Sequence, residues 1–180
     1  MMQHMKRHGP NTLQSRRLTL RPFELTDAAR LARITSDPLV TRNLLKTTKP
    51  FTEHDARRRI LQMQGRGSPV WAIDNGQLIG LIGISGEFGY WLARSAWRKG
   101  YAFEAARLVI DHAFEKLGKE TLHANPIADN KASRLLLEKL GFERCGRDVA
   151  LCGERAKMVT LICYRLDREI FINDRYARAG

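Results

Sequence analysis

Cysteine, acidic side chains and long apolar runs are all scarce in this chain. Its 180 residues include three cysteines. Cys145, Cys152 and Cys163 are odd in number and form no CxxC pair, which argues against a disulfide framework and against a zinc or other metal site. Buried or incidental thiols are expected. The longest apolar run, Leu78 to Ile84, is far too short to span a bilayer. Met1 to Gln14 carries basic residues and histidines without the apolar core of a secretory signal, so a cytoplasmic protein away from membranes is expected. No internal repeat or low-complexity linker divides the chain, and its length suits one domain with a real core. The expected partition is a flexible N-terminal tail over 1–15, a domain over 16–172 and a C-terminal tail over 173–180.

Acid is the largest deficit: 19 Asp and Glu face 31 Lys and Arg, a formal net charge of +12. Such an excess invites a nucleic-acid reading through counterion release. The basic residues are scattered, however, with groups at Arg16–Arg17, Arg57–Arg59 and Arg165 to Arg178, and no recognised nucleic-acid motif accompanies them. Arg57 to Arg59 read as the solvated face of a helix.

The most informative stretch is WRKGYAFEA, Trp97 to Ala105. It sets a glycine in a basic turn directly before an amphipathic helix, Ala102 to Leu117, with Phe103, Ala106, Ile110, Ala113, Phe114 and Leu117 on one side and Glu104, Arg107, Asp111 and Glu115 on the other. The first N–H groups of a helix lack intrahelical partners and sit at the positive end of its dipole, so such a turn accommodates phosphate. Gly100 permits close approach, and Arg98 and Lys99 supply charge. A strand-like run, Phe88 to Ala93, precedes the turn, and Gly118 ends the helix. DNKASRLLLEKLGF, Asp129 to Phe142, reads as a second helix capped by Asp129 or Asn130 and closed by Gly141.

Other elements follow in mixed order. Leu18 to Phe23 alternates as a strand, Thr26 caps a helix carrying Leu31 and Ile34, and another helix starts after Thr52. Val70 to Ile73 and Gln77 to Ser85 flank an Asp74-Asn75-Gly76 hairpin turn. Thr121 to Asn125 is a strand stopped by Pro126. Lys157 to Leu166 is a late strand after a loop from Asp148 to Glu154.

Together WRKGYAFEA and NKASRLLLEKLGF resemble the GNAT superfamily of acetyl-CoA-dependent N-acetyltransferases, within it the RimJ/RimL type that acetylates ribosomal proteins. The likeness extends from RRLTLRPFELTDAARL at Arg16 to YRLDREIF ending at Phe171. Trp97, Gly100 and Ala102 fill the fixed positions of the superfamily's diphosphate pattern, and Arg98 stands where this branch usually has another glycine. The resemblance implies an α/β single-domain fold, a mixed and mostly antiparallel central sheet flanked by helices. Its two central parallel strands, Phe88 to Ala93 and Thr121 to Asn125, splay apart to admit acetyl-CoA. It further implies that the pantetheine arm meets the backbone of Trp91, Leu92 and Ala93. The diphosphate meets Arg98, Lys99, Gly100, Tyr101 and Ala102 beside Trp97, and Asn130 and Ser133 lie near the thioester.

Acetyl transfer needs a neutral amine, a polarised thioester carbonyl and a proton for the departing thiolate. The resemblance implies Glu87 as general base through water, a backbone N–H near Leu92 for the carbonyl oxygen, and Ser133 as donor to the thiolate. The tyrosine that many superfamily members use as general acid is replaced by Leu137. Proton delivery is left to Ser133, water or an inward-pointing Tyr90, although strand alternation puts Tyr90 opposite Glu87 and favours a packing role. His123 is a further base candidate. The expected reaction is direct transfer to a primary amine, in particular a protein N-terminal α-amine, with acceptor walls from Leu39 to Phe51, the helix after Thr52, and Asp148 to Arg155. Alternatives are a small-molecule amine acetyltransferase, antibiotics included, a noncatalytic CoA-binding module, and an RNA- or ribosome-binding protein. No metal is implied, nucleic acid enters only through the ribosome, and a homodimer is left open.

Overall fold

Two antiparallel sheets meet at a seam, and helices cover both faces. The computed structural model describes residues 12–46, 51–65 and 69–177. Most of both tails' outermost residues, and positions 47–50 of the expected acceptor connection, lie outside them. The first sheet runs β1 (Leu13–Gln14), β2 (Thr19–Arg21), β3 (Val70–Asp74), β4 (Leu78–Gly83) and β5 (Gly89–Leu92), each strand antiparallel to its neighbour. The second is built from β6 (Thr121–Ala124), β7 (Glu143–Cys152) and β8 (Lys157–Asp167), with β8 in the middle. The helices are α1 (Ala28–Thr35), α2 (Pro38–Thr41), α3 (Glu53–Gly65), α4 (Tyr101–Glu115), α5 (Lys131–Lys139) and α6 (Arg168–Ala177). Among the described residues no helix is long and apolar enough to cross a membrane.

Period-two alternation in β3 decides which helix packs where. Ala72 joins Leu31, Ala56, Ile60 and Leu78 under α1 and α3. Trp71 and Ile73 face the other way, onto Ala105, Ala106, Val109 and Ile110 of α4. That second cluster continues into Leu122, Ala124, Tyr164 and Leu166 of the other sheet. Side-chain packing therefore spans the seam. The backbone crosses it at the start of β5, where the Phe88 N–H donates to the His123 carbonyl at 2.7 Å. Beyond that point β5 and β6 share no ladder, which is the expected splay between these two strands, opening from a hydrogen-bonded point at its base.

Three expectations need correction. Thr26 does not cap the first helix: a 3-10 turn, Leu25–Asp27, comes first, and the Asp27 carboxylate accepts the Glu24 N–H at 2.8 Å. Arg21 locks this corner by donating to Asp27 and to Asp74, each at 2.8 Å. The segment read as a loop from Asp148 is the second half of β7, and the turn begins only after Cys152. Both faces of this half carry apolar residues, so no polar–apolar alternation marks it in the sequence: Val149 and Leu151 point outward, 62% and 63% exposed, while Ala150 and Cys152 pack inward against Ile127 and Leu161. The edges of the domain also move. Leu13 and Gln14 already pair with β2, and α6 continues past residue 172 to Ala177.

The solvated face expected at Arg57 to Arg59 is found on α3. Arg57 pairs with Glu53 at 2.8 Å and Arg58 with Asp55 at 2.9 Å, both along the same helix. The Thr52 hydroxyl accepts the Asp55 N–H at 3.2 Å while the Asp55 carboxylate accepts the Thr52 N–H at 3.0 Å, which starts this helix reciprocally.

Candidate active site

The turn before α4 has the geometry of an anion cradle. Gly100 takes φ +80° and Arg98, a non-glycine, takes φ +59°. Left-handed residues among right-handed ones turn successive N–H groups to one side. The helical ladder begins with the Glu104 N–H on the Gly100 carbonyl at 3.1 Å, so the amides of Tyr101, Ala102 and Phe103 precede it. A Cβ at position 100 would be strained by its φ and would come within 3.3 Å of the Arg17 guanidinium. Trp97 closes the turn on the strand side, its indole N–H donating to the Leu92 carbonyl at 2.9 Å.

Strand β5 presents its backbone selectively. The Ala93 N–H donates to the Ile79 carbonyl at 2.8 Å, so of the three residues expected along the pantetheine arm, Ala93 offers no free amide. Phe88 instead turns its N–H to β6. Backbone groups alternate sides along an antiparallel strand, so those of Tyr90 and the Leu92 N–H also turn to the seam.

Across the seam, Asn130 rather than Asp129 caps α5, its side-chain oxygen accepting the Ser133 N–H at 3.2 Å. The Ser133 side chain lies beside the Tyr90 phenol. Burial pushes the Tyr90 phenol above its ordinary pKa, and the nearby Ser133 hydroxyl partly opposes this. Leu137 is fully buried in the core. Tyr164, the other tyrosine near α5, is engaged by Glu138 at 2.7 Å and Arg134 at 3.4 Å.

Glu87 and His123 lie on the opposite face. Glu87 is exposed and accepts the Asn125 side-chain N–H at 2.7 Å. Alternation sets His123 on the same side of β6 as Asn125 and Thr121. There the Asp167 carboxyl is held below its ordinary pKa, chiefly by hydrogen bonds from Arg165 and Thr121, with His123 a smaller contributor. The base candidates thus share one face of the seam, and the Tyr90–Ser133 pair occupies the other.

The expected acceptor walls are also brought together. Arg155, in the β7–β8 turn, donates to both Asp129 oxygens at 2.6 and 2.9 Å and to the Arg42 carbonyl at 2.9 Å. The Gly153 N–H reaches the Leu45 carbonyl at 3.1 Å. The chain after α2 is thereby fastened to the β7–β8 turn and to the loop that leads into α5.

The acetyltransferase (GNAT) domain family matches residues 17–143. The chain belongs to the GNAT acetyltransferases. A curated relative, an uncharacterized N-acetyltransferase p20 of Bacillus licheniformis, is 34% identical over 151 residues, covering 75% of this chain and 84% of that protein. Among solved structures, a ribosomal-protein-S5-alanine acetyltransferase from Vibrio fischeri superposes with a TM-score of 0.77 at 18% identity, over 88% of this chain and 97% of that one. The microcin C7 self-immunity acetyltransferase MccE, solved with acetyl-CoA and AMP, superposes with a TM-score of 0.75 at 17% identity, over 85% and 93%. At those identities the two structures show the shared fold. The family makes this GNAT chain an acyltransferase, with acetyl-CoA as the implied donor.

Proposed function

We propose that the protein transfers the acetyl group of acetyl-CoA directly to a protein N-terminal α-amine, with the two faces of the seam taking separate tasks. The observation that carries this reading is the placement of Glu87 on one face and of Tyr90 beside Ser133 on the other. A thioester lying between them would meet an amine and its base from one side and a proton donor from the other. Acetyl-CoA brings an acyl group already activated as a thioester. The amides of Arg98 to Ala102, with Arg98 and Lys99, hold its diphosphate. Trp91 and Leu92 flank its arm, and the seam-facing Leu92 N–H polarises the carbonyl oxygen. Glu87, through water, removes the proton from the incoming amine. Ser133 donates to the Tyr90 oxygen, which leaves the Tyr90 proton directed at the departing sulfur and stabilises the phenolate left behind.

A protein acceptor is favoured over a polycationic small molecule on charge. A chain with a net +12 repels aminoglycoside-like amines unless acids converge at the site. The likeness to an acetyltransferase named for a ribosomal protein points the same way. The test is acetyl-CoA turnover against a panel of peptides with free N-termini and small amines including aminoglycosides, with mass spectrometry to locate the acetyl group. Acetylation at the peptide α-amine is expected. Turnover confined to small amines overturns the acceptor, and no turnover with any amine overturns the activity.

A further inference from the structure

Arg17 lies outside every element that the donor chemistry needs, yet all three of its guanidinium nitrogens converge on the phosphate turn. Its Nη1 donates to the Lys99 carbonyl at 3.0 Å. Its Nε donates to the Glu104 carboxylate at 2.7 Å, and its Nη2 pairs with the same carboxylate at 2.5 Å. The guanidinium carbon also sits 4.9 Å from the centre of the Tyr101 ring. The backbone joins in: the Arg17 N–H and the Ser15 hydroxyl donate to Glu104 at 3.2 and 2.6 Å. The short stretch before β2 is therefore strapped across the first turn of α4.

Two consequences follow for an anion held there. In a trans peptide the carbonyl and the next N–H point in opposite directions. Holding the Lys99 carbonyl outward toward Arg17 aims the Gly100 N–H to the opposite side, the side of the cradle. Glu104, in the first turn of the helix, would by itself repel a phosphate. Burial pushes its carboxyl up, but the Ser15 and Arg17 hydrogen bonds together keep it below its ordinary pKa, so it stays charged and matched to Arg17.

We propose that Arg17 is a positioning residue for the cosubstrate's diphosphate, fixing the Lys99–Gly100 peptide so that the Gly100 N–H faces the bound anion. This rests on the donor reading above and adds to it a residue beyond the family's turn. A lysine cannot substitute, because one ammonium lacks the planar fork that spans a carbonyl and a carboxylate together.

The test is calorimetric titration of the whole protein with acetyl-CoA and with acetyl-dephospho-CoA, which keeps the diphosphate and lacks the 3′-phosphate. Arg17→Ala is expected to weaken both about tenfold, the scale of one charge-assisted hydrogen bond. Arg17→Lys, which keeps the charge and serves as the folding control, should lose nearly as much. Glu104→Gln alone should change affinity little, and Arg17→Ala should retain its tenfold loss in that background, because the loss comes from the peptide. A loss that disappears with Glu104→Gln reduces Arg17 to neutralising a carboxylate and overturns the proposal. So does a loss restricted to acetyl-CoA, which would mean direct contact with the 3′-phosphate. If the parent binds and Arg17→Ala binds equally well, the strap falls alone. If the parent binds neither donor, the acetyltransferase reading falls and takes the strap with it.

Discussion

The donor side and the acceptor side of the seam are assembled by different means. On the donor side the decisive conformations are local: Gly100 at φ +80°, the Asn130 cap on Ser133, and the helix start that follows each. On the acceptor side they are remote. Arg155 reaches the Arg42 carbonyl across 113 positions of sequence, and the Cys152 thiol reaches the Leu44 carbonyl across 108. A site built from turns and caps holds one ligand chemistry through much sequence change. A site built from distant loops can be re-cut by altering either one. The comparison explains why the family is plain in this chain while the acceptor has to be found by experiment.

The largest effect should come from breaking the donor side at its turn. Gly100→Glu adds a side chain where φ is positive and a negative charge where phosphate binds. The thermal shift that saturating acetyl-CoA gives the parent, equivalent to about 3 kcal/mol at a hundredfold excess over Kd, should disappear. An equal shift in both proteins would remove this turn from the site. Next in size, Tyr90→Phe and Ser133→Ala should each lower kcat by about a hundredfold, as expected for loss of a general acid, with acetyl-CoA affinity within a few-fold of the parent. Unchanged kcat in Tyr90→Phe would leave the proton to Ser133 or water.

Glu87→Gln should have a smaller, pH-dependent effect. An α-amine has a reference pKa of about 8, so more of it needs deprotonation as pH falls. The variant should lose most turnover on the acidic limb, about tenfold near pH 6, while keeping its affinity for acetyl-CoA. A parent-like pH–rate profile excludes Glu87, and a matching profile change in His123→Gln would then move the role there.

The smallest effect should sharpen the contrast between sides. Arg155→Ala should raise the acceptor KM several-fold and leave acetyl-CoA affinity unchanged. Its stability cost should be about 1–2 kcal/mol, because the Asp129 partner is half exposed but the Arg155 side chain is 14% exposed and also holds the Arg42 carbonyl. The Arg155 hydrogen bonds hold the Asp129 carboxyl below its ordinary pKa. A carboxyl depressed in the folded state stabilises at pH above its unfolded value and loses that contribution as pH falls through the folded one. The stability gap between the parent and Arg155→Ala should therefore begin to narrow as pH falls below about 4, the unfolded aspartate range, and go on narrowing through the lower folded value, as followed by thermal melts across pH.

Local chemistry also sets what could be read from the residues alone. Trp97 to Ala105 and Asn130 to Leu140 announce themselves because a glycine, a cap and a 3.6-residue period act within a few positions. β7 does not, because its solvent-facing Val149 and Leu151 are as apolar as its inward-facing Ala150 and Cys152, and the sequence shows no polar–apolar alternation. Alternation puts Tyr90 opposite Glu87 on its strand, but Ser133 lies on α5, and only the packed structure brings the two side by side. Arg17 was legible merely as one of a basic pair. Its meaning lies in Lys99 and Glu104, more than eighty residues on, and a pairing of that reach leaves no signature in a single sequence.

The bond from Phe88 to His123 has a mechanical meaning. Where a ladder joins two strands, moving one against the other breaks hydrogen bonds in series. Among the described residues the halves are joined by one such backbone bond, by the Asn125–Glu87 side-chain bond next to it, and by apolar side chains of a continuous cluster, whose attraction is non-directional. The joint is stiff at its base and compliant along its length. The gap can adjust its width by fractions of an ångström to the molecule that enters it, without unpairing either sheet.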